Sequence, residues 1–141
     1  MRLAFILLAL VSTQALAQWE YLASKNMAYV KSSNTDVAAT VLENDSNQPA
    51  FMLVTSSPVA CTKPNGCTNG IVLTVNGKPV KFNVLVAGKV HTSTPSTQEG
   101  AEYIVKQFSS KNTVTIGDSE FDATGFNKTS KQVMDTIENA L

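Results

Sequence analysis

Hydrophobic and polar residues alternate most cleanly between Gly70 and Val86 (GIVLTVNGKPVKFNVLV). The pattern predicts two strands joined at Asn76-Gly77, the pair that most readily supplies the positive φ angles of a type I′ turn. With those two residues as the loop, Val75 faces Lys78, Thr74 faces Pro79, Leu73 faces Val80, Val72 faces Lys81 and Ile71 faces Phe82. Side chains alternate faces along a strand, so Ile71, Leu73, Val75, Val80, Phe82, Val84 and Val86 share one face. Val72, Thr74, Lys81, Asn83 and Leu85 form the opposite, mixed face. A slip of one residue would scatter the apolar row, which fixes the register.

Upstream, Trp19 to Val30 predicts one or two short strands interrupted near Lys25-Asn26, and Lys31 to Asp36 a polar turn. Val37 to Glu43 follows as a strand, Asn44 to Pro49 as a loop, and Phe51 to Thr55 as a further strand by its β-propensity. Successive β-runs with short polar turns read as an antiparallel meander. After Ala87-Gly88 the period changes. Ser96-x-x-Glu99 is a capping box, and Ala101, Ile104, Val105 and Phe108 recur at helical spacing, which predicts a helix over Thr97 to Ser109. Asn112 to Ile116 and Ser119 to Thr124 predict two strands around a Gly117-Asp118 turn, with Gly125 and Asn127 ending the second. Thr129-x-x-Gln132 offers another capping box before a stripe of Val133, Met134, Ile137, Ala140 and Leu141. The expected fold class is α+β: an antiparallel sheet curved into a sandwich or half-barrel, with two amphipathic helices packed on one side.

The first seventeen residues read differently from the rest. Arg2 supplies a positive start, Leu3 to Val11 an apolar run, and Ala15-Leu16-Ala17 an A-x-A cleavage signal. The run is too short to span a bilayer, so no stable anchor is expected after cleavage between Ala17 and Gln18. The remaining chain, from Gln18 to Leu141, suits a single exported domain, periplasmic or secreted. Cys61 and Cys67 fall in that exported part, where oxidation is expected. They flank Thr62-Lys63-Pro64-Asn65-Gly66, and closing so small a ring stabilises by about 2 kcal/mol in the chain-entropy view. The spacing is not the C-x-x-C of a redox enzyme, and no nearby histidine completes a zinc site.

Charge narrows the partners. Lys and Arg together number eleven against eleven acidic residues, and Arg2 is the one arginine. Past the leader the chain therefore carries one net negative charge, which argues against nucleic acid. Without arginine it also lacks a bidentate grip on phosphate. His91 is the one histidine, which rules out multi-histidine metal sites. It is read as a solvated loop residue, since no G-x-S-x-G elbow or comparable nucleophile signature accompanies it. Asp118, Glu120 and Asp122 alternate and share a face, but they lack the EF-hand spacing and read as the wet side of a strand bearing Phe121. Trp19, Tyr21, Tyr29 and Tyr103 could form an exposed glycan or peptide platform, although half-buried core rings are the plainer reading. Asn44-Asp45-Ser46 and Asn127-Lys128-Thr129 match the N-glycosylation sequon.

The second half also has a family likeness. NGKPVKFNVLV, the helix EGAEYIVKQF, the strand NTVTI, then FDATGF and a closing helix resemble small bacterial periplasmic proteins of the invasion-associated locus B kind and accessory proteins of type VI secretion. The likeness covers roughly residues 70–141 and rests on Phe121, Gly125, Phe126 and the apolar stripe after Thr129. Paired cysteines lie elsewhere in the locus B proteins, and this chain lacks the terminal cysteine of other members. The resemblance implies an envelope protein working through contacts, with no catalytic residue to carry over. The expected function is accordingly non-enzymatic binding of another envelope or secreted protein, as an accessory or virulence-associated factor, with no cofactor and no metal. An inhibitor or immunity protein acting through Thr62, Lys63, Pro64, Asn65 and Gly66 is the alternative, and a small hydrolase using His91 or the 118–122 carboxylates a second.

Overall fold

The computed structural model describes residues 18–140. The expected leader over residues 1–17, and Leu141 of the expected helical stripe, lie outside the described residues. Eight strands form one antiparallel sheet: β1 (Glu20–Leu22), β2 (Met27–Lys31), β3 (Ala38–Glu43), β4 (Pro49–Cys61), β5 (Cys67–Val75), β6 (Lys78–Pro95), β7 (Thr113–Ile116) and β8 (Ser119–Asp122). Their spatial order is β1-β2-β3-β4-β6-β5-β7-β8. Helices α1 (Gln98–Ser110) and α2 (Phe126–Glu138) complete the α+β fold.

The hairpin read from the sequence forms in the expected register, with Val75 opposite Lys78 and Ile71 opposite Phe82. Asn76 and Gly77 take φ angles of 46° and 84°, as the tight reversal requires. Val75, Val80, Phe82 and Val84 are buried and Ile71, Leu73 and Val86 half-buried, whereas Val72 and Leu85 on the other face are exposed.

The sheet is single and strongly curled, so its two ends meet. After β2, Ser33 N–H donates to Glu120 O of β8 at 2.9 Å, and Glu120 N–H donates to Asn34 Oδ1 at 2.9 Å. Both helices send rings into the enclosed space. Phe108 of α1 stacks on Phe126 of α2 with centroids 5.3 Å apart, and Trp19, Phe51 and Phe121 surround Phe108. Asn26 Nδ2 donates to Val133 O at 3.3 Å and Tyr21 Oη meets Thr136 Oγ1 at 3.0 Å, which ties the first strands to the last helix.

Four local expectations need correction. The strands are not a simple meander, because β6 lies between β4 and β5. It turns back on itself at Gly88, whose φ is 58°. Thr92 Oγ1 donates to Leu85 O at 3.3 Å and Ser96 N–H to Lys81 O at 2.9 Å, so the two halves of β6 lie side by side. The first half, 78–86, pairs with β5 and the second, 88–93, with β4. His91 is therefore a half-buried strand residue opposite Thr55, not part of a solvated loop.

The cap of α1 is Thr97 rather than Ser96. Thr97 Oγ1 accepts from Gly100 N–H at 3.0 Å, because Ser96 is held to β6 by its own N–H. Likewise α2 starts at Phe126, not after Thr129. Gly125 at φ 84° turns the chain directly from β8 into the helix, and Thr129 sits one turn inside, its Oγ1 donating to Gly125 O at 2.8 Å. The docked stripe is thus Phe126, Thr129 and Val133 with Ile137 half-buried, while Met134 and Ala140 face solvent.

Candidate functional site: the disulfide-clasped tip

Where β4, β5 and β6 extend beyond the helices, they converge on the Cys61–Cys67 disulfide, whose Cα atoms lie 5.9 Å apart. Cys61 pairs with Gly88 and Cys67 with Val86. The crosslink therefore straddles the reversal of β6, one cysteine against each half. Thr62, Lys63, Pro64 and Asn65 are exposed above it, and Gly66 is half-buried. Gly66 closes the loop by donating its N–H to Lys63 O at 3.0 Å. Its φ of 76° is left-handed, and a Cβ there would fall 2.7 Å from Leu85 Cδ1 and 3.0 Å from Val86 O. The loop is thus seated on β6 and fixed in shape at both ends.

Beside the loop, β4 shifts register between Ser56 and Cys61. Ser57 Oγ turns in to donate to Val59 O at 2.7 Å, and Val59 is left 75% exposed. Val90 on β6 is exposed as well. Of the nearby charged positions along these strands, Lys63 stands on the loop and Lys89 follows Gly88 at the reversal of β6. Between residues 46 and 98 the chain has Lys63, Lys78, Lys81 and Lys89 and not one aspartate or glutamate, so all eleven acidic residues lie elsewhere. This was legible in the letters. It is hidden by a balanced total charge, and only a running count along the chain reveals it.

The other candidates are dispersed. His91 Nε2 lies 3.4 Å from Ser93 Oγ, longer than a working nucleophile–base bond. Ser93 is buried opposite Leu53, and among the described residues no carboxylate bonds the imidazole. Asp118 is exposed in the turn between β7 and β8 rather than on a strand, Glu120 is exposed on β8, and Asp122 Oδ1 accepts from Thr124 N–H at 2.7 Å as a local cap. No group of three His, Cys, Asp or Glu side chains among the described residues is placed to hold a metal ion. The aromatic residues do not make a platform. Trp19 is buried, Tyr21 donates to Asn26 Oδ1 at 2.9 Å, Tyr29 to Glu20 Oε2 at 2.8 Å, and Tyr103 to Val75 O at 2.9 Å. Of the sequon asparagines, Asn44 uses its Oδ1 to cap its own turn and Asn127 donates to Ser109 O.

No helix among the described residues is long and apolar enough to cross a membrane, and the formed disulfide is compatible with an oxidising, extracytoplasmic setting. No family model matches the chain, and no curated protein or solved structure does either.

Proposed function

We propose that this is a non-enzymatic exported protein, periplasmic or secreted, that binds another envelope or secreted protein through its disulfide-clasped tip. The observation that carries the reading is the tip itself: an exposed loop, fixed by a crosslink and by Gly66, in a segment whose charges are all positive. A preorganised loop gives up little entropy on binding. Lysines at the tip, Lys63 and Lys89, favour partners that present carboxylates and speed their encounter. An acidic face on the partner follows. The resemblance of the sequence over residues 70–141 to the invasion-associated locus B kind favours the same reading.

The experiment is photo-crosslinking from a reactive side chain at Asn65 in the native envelope. A discrete adduct is expected, competed away by unlabelled protein but not by the Lys63→Ala/Asn65→Ala variant. That variant should melt within a degree or two of the parent, since both side chains are exposed. An adduct competed equally well by both proteins would remove the tip from the mechanism. The rigid loop equally serves an inhibitor or immunity protein that enters the active site of an envelope-acting enzyme. In that case the crosslinked partner is an enzyme, and its turnover falls when the tip binds.

A further inference from the structure

The outer edge of β5 is open over most of its length. β7 meets β5 at one position only, Val75 opposite Ile116, and Gly117 N–H then donates to Thr74 O at 2.9 Å. That bond shows that Thr74 turns its backbone groups away from β6, and alternation along a strand puts Thr68, Gly70 and Val72 in the same orientation. The β6 side agrees, since Lys81 O and Leu85 O, opposite Val72 and Thr68, accept from Ser96 and Thr92 and not from β5. Among the described residues, Thr68, Gly70 and Val72 find no backbone partner on the outer side. Gly70 N–H is held instead by the side chain of its neighbour, Asn69 Oδ1, at 2.9 Å.

Proteins ordinarily blunt such an edge with lysine, proline or a bulge. Cys67 to Val75 contains no charged residue and no proline, and its nine residues pair with β6 in unbroken register. Val72 is 59% exposed on this edge. The other edges are blunted: β1 has three residues, β8 is bonded by Ser33 and Asn34, and β4 beyond Val54, where its pairing with β3 ends, carries Pro58 and a register shift.

We infer that the β5 edge accepts an extended, acidic segment of the partner protein as an added antiparallel strand. The inference rests on the binding function proposed above and names its mode. Thr68 and Val72 each offer a donor and an acceptor to the incoming backbone, and Gly70 exchanges its Asn69 bond for a main-chain one. Charge chooses the occupant. Lys81 lies opposite Val72 on the next strand, and Lys63 stands on the loop that leads into β5. Carboxylates on alternate positions of the added strand meet these ammonium groups. A second copy of this chain would bring an uncharged strand that leaves Lys63 and Lys81 without carboxylate partners, so it is the poorer occupant.

The probe is a nine-residue peptide alternating valine with glutamate, tested beside its valine–lysine counterpart on the purified, oxidised protein by amide hydrogen exchange. The glutamate peptide should slow exchange at the Thr68 and Val72 amides at least tenfold at saturation. The lysine peptide should not. Val72→Pro removes the outward donor without breaking a bond to β6, and it should abolish the protection. Lys81→Glu, an exposed change, should weaken peptide binding at least tenfold and keeps the test decisive if the proline variant misfolds. Absent protection at millimolar peptide, equal protection by both peptides, or protection that rises with protein concentration alone (a second copy) would overturn the inference. If Val72→Pro still yields the Asn65 adduct, the edge is excluded while the tip remains; if the adduct fails but peptide protection holds, the reverse applies.

Discussion

An alanine at Gly66 would have to adopt a φ of 76° and set its methyl 3.0 Å from the Val86 carbonyl, which cannot move without disturbing β6. Gly66→Ala is therefore expected to destabilise by about 1–3 kcal/mol, read from the urea midpoint of the oxidised protein. Tyr29 makes a different kind of prediction. Its hydrogen bond to Glu20, then the Glu20 charge, then slight burial hold the phenol above its ordinary pKa of 10.0. The folded protein thus keeps this proton to higher pH than the unfolded chain. The associated stabilisation is complete below the unfolded value and drains away as pH rises through the raised one. Following the Tyr29 ring resonances against pH should show the late titration, and Glu20→Gln should return it toward the ordinary value.

At the scale of elements, the β5–β6 hairpin was legible because everything that fixes it is local: an Asn-Gly loop and an alternation that survives in one register only. The reversal at Gly88 was not legible. Gly88-Lys89 is a weaker turn signal than Asn-Gly, and residues on both sides continue to alternate, so the chain reads as leaving the sheet when it is doubling back within it. A glycine inside a strand pattern was the available warning. The helix starts slipped for a related reason. Ser96 and Thr129 both satisfy a capping pattern, but tertiary bonds from Ser96 to Lys81 and the left-handed Gly125 decide where each helix begins. The crosslink that spans the Gly88 reversal closes a short ring. Replacing both cysteines, Cys61→Ser/Cys67→Ser, should cost about 2 kcal/mol by denaturant titration. Amide exchange should quicken first in 84–92, while the hairpin at Asn76-Gly77 stays protected.

Across the whole molecule, Phe108 is the point where the parts meet, since it touches Trp19, Phe51, Phe121 and Phe126. Phe108→Ala should cost about 3–5 kcal/mol, measured by chemical unfolding, because no single neighbour can close the space it leaves. The apolar content of this core could be named from sequence, yet its assembly could not. Trp19 and Phe126 are far apart in the chain, and only the curl of the sheet brings them to 5.0 Å. The candidate site was partly legible: the two cysteines and the turn they close could be named from sequence, whereas the β6 hairpin beneath that turn and the open strand beside it could not.

The bonds from Tyr21 and Asn26 to Thr136 and Val133 span 115 and 107 residues of chain. A ribosome delivers residues one after another, so these contacts of the first strands wait until α2 has emerged. Closure of the first strands onto α2 is therefore a late step in folding, taken after the local β5–β6 hairpin can form.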